Sequence, residues 1–286
     1  LRLYQALYRK WRPQTFADVI GQQHITDTLR AQLQSGRLSH AYLFTGTRGT
    51  GKTTCAKILA RAVNCEHPVN GDPCNECAAC RGILDGSVLD VTEIDAASNN
   101  GVDNIRDLRD ETRYTPAQVR KRVFIIDEVH MLSIGAFNAL LKTLEEPPEH
   151  VLFILATTEL HKVPATILSR CQRFDFRRIG AEDISRRLLD VAAGEGIALT
   201  EGAARLIARL ADGAMRDALS MLDRAAAAGA VDEKTVTAAL GVMGQEDGIR
   251  LAEHLKTGDL AAAVGLLDEY YNCLLYTSPS PRDISG

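Results

Sequence analysis

The sequence has 286 residues, 45% of them hydrophobic and 24% charged, with 33 Lys and Arg against 37 Asp and Glu for a net charge of −4. That composition excludes wholesale disorder and fits about two domains. It also excludes nucleic-acid binding through bulk basicity, leaving only local patches for such contacts. The longest strongly apolar run, 151–156 (VLFILA), is far shorter than the ~20 residues a membrane-crossing helix needs. The first ten residues carry no apolar core followed by a cleavage site, so no secretory signal is visible. The chain opens on Leu1, and a natural start is expected to be missing.

In chain order, residues 15–36 read as a loop running into a helix, with Val19, Ile20, Ile25, Leu29 and Leu33 on helical spacing. Residues 41–45 read as a short buried strand that runs into a Gly-rich turn, and a helix follows over 52–64. An insert rich in Cys, Pro and Gly spans 65–80. A second strand is expected over 90–95 and a helix rich in Arg and Asp over 101–112. The third strand, 122–127, is apolar on both faces, as a central parallel strand should be. A helix over 133–145 is stopped by Pro147 and Pro148, and 151–156 is the fourth strand. Strands alternating with helices predict an α/β domain with a parallel sheet over 1–178. Beyond Arg178 no strand-like run occurs; three or four amphipathic helices punctuated by Gly predict a small all-helical domain over 179–243. A further helical stretch occupies 244–272. From Cys273 the Ala/Leu pattern breaks into a Ser-Pro-Ser-Pro tail that resembles the conceptual translation of a sequencing adapter. Residues 273–286 are therefore read as an assembly scar, and the natural protein is expected to continue past 272.

The sharpest motif is 46–53, GTRGTGKT, which fits G-x-x-x-x-G-K-[ST] between an expected strand and an expected helix. Gly46, Gly49 and Gly51 let backbone amides curl round a phosphate, with Thr47, Arg48 and Thr50 completing the loop. The following helix offers its positive end to the same anion. Lys52 is placed for the β- and γ-phosphates of a nucleotide and the Thr53 hydroxyl for Mg²⁺. The strand 123–126 ends in Asp127 and Glu128. Ligands of open α/β sheets bind at carboxyl strand ends, so Asp127 falls where a Mg²⁺ ligand or its outer shell belongs. Glu128, next along, is suited to orient and polarise an attacking water.

Cys65, Cys74, Cys77 and Cys80 follow the pattern C-x8-C-x2-C-x2-C. Four thiolates so spaced suit tetrahedral zinc. A disulfide reading needs an oxidising compartment, and an iron–sulfur reading needs redox chemistry that nothing else in the sequence supports. The insert's position predicts a structural metal whose removal leaves nucleotide binding unchanged. Cys55 and Cys171 are expected to be inert, and His130 is given no role.

Several longer stretches match one family: 9–19 (RKWRPQTFADV) with Ile20, Gly21 and Gln22, the loop 46–53, the four cysteines, 93–98 (EIDAAS) and 127–132 (DEVHML). The match continues through 138–148 (NALLKTLEEPP), 156–158 (ATT), 167–171 (ILSRC) and 216–220 (RDALS). From residue 3 to about 272 the chain resembles the gamma/tau family of bacterial DNA polymerase III subunits, the motors of the sliding-clamp loader within the AAA+ ATPases. The resemblance implies a P-loop ATPase domain, a helical lid and the start of an oligomerising collar over 244–272. It implies an ATPase with ATP, Mg²⁺ and Zn²⁺ as cofactors. By the same resemblance Thr157 senses the γ-phosphate and Arg216 reaches the phosphates from the lid. Arg170 would serve a neighbouring subunit's site as an arginine finger, and Pro13, Val19 and Ile20 would line the adenine pocket. The implied partners are delta and delta-prime subunits, further gamma/tau copies, the beta sliding clamp, primer-template DNA and, through a missing C-terminal region, the polymerase core. The implied location is cytoplasmic, with no membrane role.

DNA contacts are expected from the segment 98–102, Arg106 and the loop at Ser133, through backbone phosphates and without sequence preference. Two other functions compete. A non-hydrolysing structural subunit of the same assembly would be expected to lack Lys52 or the acidic pair, and all three residues are present. Another AAA+ motor, such as a branch-migration helicase, would not be expected to carry the cysteine insert.

Overall fold

The computed structural model describes residues 4–227, 229–242 and 245–277. The chain divides into two units: Trp11–Gly180 with Gly213–Met215 form a sheet unit, and the described parts of 1–10, 181–212 and 216–286 form a helical unit. The single-turn helix α1 (Leu7–Lys10) therefore belongs with the helical unit, although the sequence reading assigned it to the 1–178 domain.

The sheet unit runs α2 (Gln23–Ser35), β1 (Ala41–Thr45), α3 (Lys52–Asn64), α4 (Ala78–Asp85), β2 (Val91–Asp95), α5 (Val102–Glu111) and β3 (Arg122–Asp127). It continues with α6 (Ile134–Glu145), β4 (Val151–Thr157), α7 (Ala165–Leu168) and β5 (Gln172–Asp175). All pairings are parallel, in the order β2-β3-β4-β1-β5. Successive strand residues face opposite sides, which splits the core into two layers. Tyr42, Phe44, Val123, Ile125 and Ile154 pack with Ile25 and Leu29 of α2 and Ile58 and Leu59 of α3 on one face. Leu43, Phe124, Ile126, Phe153 and Leu155 pack with Ile105 and Leu108 of α5 and Phe137 and Leu140 of α6 on the other. Helices on both faces are why β1, β3 and β4 carry continuous apolar runs.

Two expectations need correction. The helical spacing over 15–36 is broken: Phe16–Asp18 form one 3-10 turn closed by a capping box between Thr15 and Asp18, and α2 starts only at Gln23. Gly21, at φ +72°, takes the left-handed conformation that separates the two. The sheet also has a fifth strand, β5, where four were expected. It is an edge strand in which only Phe174 is buried, so it lacks the apolar run that marks its neighbours.

The helical unit holds α8 (Ala181–Glu195), α9 (Glu201–Leu210), α10 (Met215–Ala226), α11 (Glu233–Leu240), α12 (Gln245–Thr257) and α13 (Leu260–Thr277). Thr200 and Asp232 cap α9 and α11 by accepting the amides of Ala203 and Thr235. Ile184, Leu188 and Val191 of α8, Ile207 of α9 and Leu222 of α10 are fully buried. The start of α1 is tied to α10 through Asp223, which accepts the Tyr4 hydroxyl and, at 3.2 Å, the Leu7 amide. Residues 278–286, most of the segment read as a scar, lie outside the described residues. Among the described residues no helix is long and apolar enough to cross a membrane.

Candidate functional site

The carboxyl edge of the sheet gathers the polar residues that the strands themselves exclude. Strand β1 is buried at every position and ends at Thr45, after which the chain turns through 46–51 into α3. Gly46 sits at φ +143°, and a Cβ there would lie 2.4 Å from the Phe176 carbonyl oxygen, so no other residue fits. Gly51, at φ +105°, is the N-cap of α3 and leaves that helix's first amides free to face an anion. Lys52 is 6% exposed, and its Nζ donates to the carbonyls of Gly46 at 2.8 Å and Thr47 at 2.9 Å. Burial pulls its pKa down, opposed by the carboxylates of Glu128 and Asp127. The loop is braced by Thr50, whose hydroxyl donates to the Thr47 carbonyl at 2.8 Å.

Strands β3 and β4 bring the acidic and hydroxyl groups to this mouth. The Thr53 hydroxyl donates to Asp127 Oδ2 at 2.8 Å, joining the first turn of α3 to the end of β3. Asp127 Oδ1 accepts the Glu128 amide at 3.0 Å, and Glu128 takes a left-handed φ of +47° that turns its side chain away from the strand's alternation. Thr157 closes β4 in register with Thr45, fully buried, and its carbonyl accepts the Gly46 amide at 3.3 Å. The structure thus brings Gly46 to Thr53, Asp127, Glu128 and Thr157 to one place.

It also brings there Thr158, His130 and Glu159, which carry no role in the motifs above. Glu128 Oε2 accepts both the Thr158 hydroxyl at 3.0 Å and the Thr158 amide at 3.3 Å. The His130 side chain, 6% exposed, has Nδ1 3.0 Å from Thr157 Oγ1 and 3.4 Å from Glu128 Oε2, and Nε2 3.2 Å from Glu159 Oε1. No spacing rule links residues 128, 130 and 158; the contact arises because β3 and β4 are neighbours.

The Met215 amide, one residue before Arg216, donates to the Gly49 carbonyl of the phosphate loop at 3.1 Å. Arg170 precedes β5, whose first residue, Gln172, pairs with Tyr42 near the start of β1. It therefore enters the sheet at the amino-terminal edge, opposite the phosphate loop. There its guanidinium donates to Glu145 Oε1 of α6 at 2.8 Å and to the Thr166 carbonyl at 2.8 Å. Arg216 is in the helical unit, exposed at the start of α10, with its guanidinium carbon 4.9 Å from the centre of the Tyr8 ring. Pro13, Val19 and Ile20 flank the 3-10 turn before α2, and Val19 is buried in the core layer beneath α3. The two expected nucleic-acid segments meet: the Ser133 amide donates to the Asn100 carbonyl at 3.1 Å, so the starts of α5 and α6 lie side by side. Arg106 is exposed and paired with Asp103.

The four sulfurs of Cys65, Cys74, Cys77 and Cys80 all lie within 4.8 Å of one another, and none is in a disulfide. A tetrahedral zinc with bonds of about 2.3 Å needs sulfurs about 3.8 Å apart, so the cluster fits. Backbone amides of Cys74, Cys77 and Cys80 donate to the sulfurs of Cys65, Cys74 and Cys77 at 3.3, 3.3 and 3.4 Å, bonds that favour thiolates while burial raises the thiols of Cys65 and Cys80. The Glu76 amide, with further help from that of Cys77, brings the Cys74 thiol down to about 6. By contrast, burial pushes Cys55 and Cys171 up to about 12.

Comparison with known proteins gives the same picture. Residues 21–180 match the family model described as DNA polymerase III, delta subunit, and residues 183–231 that of the DNA polymerase III clamp loader subunit, ATPase lid domain. The chain is 64% identical over 222 residues to DNA polymerase III subunit tau of Bacillus subtilis strain 168, covering 78% of this chain and 39% of that one. It is 48% identical over 268 residues to subunit tau of Escherichia coli K12, covering 93% of this chain and 42% of that one. Against subunit gamma of Buchnera aphidicola it is 45% identical over 268 residues, with 93% and 74% covered. The chain thus spans less than half the length of the two tau subunits. The Thermotoga maritima RuvB Holliday junction branch migration motor superposes with a TM-score of 0.62 over 95% of this chain and 94% of that one, at 18% identity, which shows a shared fold alone. With a matched family model over more than half its length, and 45% identity to a gamma subunit of which it covers 74%, the chain belongs to the gamma/tau family of DNA polymerase III clamp-loader subunits.

Proposed function

We propose that the chain is an ATP-hydrolysing motor of a sliding-clamp loader, binding ATP to open a ring clamp and hydrolysing it to leave the clamp on primed DNA. The observation that carries the reading is the meeting of Lys52, the Thr53–Asp127 pair and Glu128 at one strand edge. Bound Mg²⁺-ATP supplies the phosphoanhydride and the metal charge that neutralises it. The chain's own residues do the rest. Loop amides from 46–51 and the Lys52 ammonium compensate triphosphate charge. Thr53 and Asp127, already within hydrogen-bond reach of each other, are the pair that would hold Mg²⁺. Glu128 orients a water and accepts its proton, and Thr158 fixes the carboxylate from which it acts.

Arg170 lies at the amino-terminal edge of the sheet, roughly 17 Å along the strands from its own phosphate loop at ~3.3 Å per residue. That supports service to a neighbouring copy's nucleotide in preference to its own. Arg216 contributes from the helical unit, and Pro13, Val19 and Ile20 take the adenine side. The four cysteines hold zinc. The adjoining starts of α5 and α6 support backbone-phosphate contacts with DNA. The partners are delta, delta-prime and further gamma/tau subunits, the beta clamp, primer-template DNA and the polymerase core, in the cytoplasm. In domain terms, we assign 1–178, 179–243 and 244–272 to motor, lid and collar, and 273–286 to an adapter-derived tail.

The test is ATPase activity assayed with primed DNA, ring clamp and partner subunits added stepwise. Hydrolysis stimulated by DNA only when clamp and partners are present supports the reading. Stimulation by four-way junctions without a clamp would favour a branch-migration motor, and no hydrolysis in any combination a structural subunit.

A further inference from the structure

Residues 11–16 form a strap with no regular structure of their own until the 3-10 turn at Phe16. The strap is held from two sides. From the phosphate-loop helix α3, Thr54 Oγ1 accepts Arg12 Nε at 3.1 Å. Arg61, one of the few buried charged residues and 3% exposed, donates through Nη2 to the Gln14 carbonyl at 2.9 Å and to Gln14 Oε1 at 3.2 Å. From the cysteine-rich insert, Asn75 donates through Nδ2 to the same Gln14 carbonyl at 3.2 Å and accepts Arg61 Nε on Oδ1 at 3.1 Å. Asp72 accepts the Phe16 amide at 2.5 Å and Arg30 of α2 at 2.7 Å. The insert's backbone presses against α2 as well: a Cβ on Gly71 would lie 2.9 Å from the Arg30 Cα.

Asn75 lies between Cys74 and Cys77 at φ +59°, a conformation the surrounding thiol turn imposes. Asp72 lies in the bridged turn formed with Val69, between Cys65 and Cys74. The shape of the insert therefore determines whether Asn75 and Asp72 reach the strap. With few apolar groups of its own, the insert depends on the cysteine cluster for that shape.

We infer that the four-cysteine insert is a clasp for the strap, with Asp72, Asn75 and Arg61 as positioning residues, so that filling the thiol site tightens the base side of the nucleotide pocket. This rests on the nucleotide reading above and revises the expectation that metal removal leaves ATP binding untouched. The strap carries Pro13 between Arg12 and Gln14, so loosening it moves the adenine side while the loop 46–53 keeps its own bonds.

The test uses the whole 286-residue chain. Asp72→Ala and Asn75→Gly, the latter keeping the positive φ while removing the carboxamide, are compared with the parent and with chelator-stripped parent. Zinc is counted with a colorimetric chelator. ATP and inorganic tripolyphosphate are titrated by calorimetry, and exchange of amides 11–19 is followed by mass spectrometry. Both variants should keep zinc, bind ATP about 10-fold more weakly, the loss of a little over one kcal/mol of contact, bind tripolyphosphate unchanged and exchange faster over 11–19. The stripped parent, without zinc, should show the same weaker ATP binding, unchanged tripolyphosphate binding and faster exchange. Unchanged ATP affinity in both variants and the stripped parent overturns the clasp. Equal weakening of ATP and tripolyphosphate overturns it too, since the phosphate loop would then be what failed. Should Asp72→Ala fail to fold, Gln14→Ala, which deletes one exposed acceptor of Arg61, must still speed exchange over 11–19. A parent that binds neither ligand defeats the nucleotide reading itself.

Discussion

Lys52 is the residue on which the site's charge turns, because it is buried and has only two loop carbonyls as hydrogen-bond acceptors. Lys52→Ala is expected to leave the fold intact and weaken binding of a fluorescent ATP analogue by about 10- to 150-fold, from the ~1.5–3 kcal/mol of a charge-assisted contact. Unchanged affinity would remove Lys52 from the site. Cys55 makes the opposite kind of statement. It is fully buried on α3, and burial raises its pKa to about 12, so almost no thiolate exists near neutral pH. Native alkylation followed by mass spectrometry should label it only after unfolding, whereas metal-stripped Cys74, brought down to about 6, should react first. Rapid native labelling of Cys55 would contradict its packing.

The elements divide into those whose stability is apolar and those that depend on polar ties. In the sheet, Phe153 of β4 is fully buried and stacked on Phe124 of β3 with ring centres 5.5 Å apart. Phe153→Ala is expected to cost about 3–5 kcal/mol in urea unfolding, through lost transfer energy and the cavity left behind. A loss under about 1 kcal/mol would mean the layer refills, contrary to close packing. The insert before α4 has no such core, and chelating the zinc proposed for it should speed amide exchange over 65–80 while the sheet amides stay protected. The same division governs what could be read from the residues alone. β1, β3, β4, α3 and the phosphate loop were legible because burial on both faces, or a glycine pattern, leaves a signature in the chain itself. β5 was not, since an edge strand with Phe174 as its one buried residue looks like a loop. Nor was the turn at 16–18, where apolar residues at helical spacing are buried by an irregular segment. In the candidate site, the meeting of Lys52, Thr53, Asp127, Glu128 and Thr157 was legible from motif and resemblance. Thr158 and His130 were not, because their contacts depend on the register of β3 beside β4.

On the scale of the whole molecule, the role proposed for Arg170 makes hydrolysis a property of neighbouring copies. If Arg170 serves a neighbour, an isolated chain binds ATP but turns it over slowly, by about 10³–10⁵ relative to a site supplied with such an arginine. Mixing Arg170→Ala chains with Lys52→Ala chains in a full-length assembly should recover hydrolysis wherever an intact Arg170 faces an intact Lys52. Mixed oligomers without recovery would mean the arginine acts in its own chain or not at all. The rims of the sheet limit how such copies can meet. At one edge β2 carries Glu93 and Asp95, and at the other β5 carries Arg173 and Asp175, paired with each other at 2.7 Å. A strand added at either rim would have to strip water from those charges, so the rims resist templating by a second chain. In the assembly proposed above, such rims would guard neighbouring copies against cross-strand polymerisation and leave self-association to side-chain surfaces that can part again after each round.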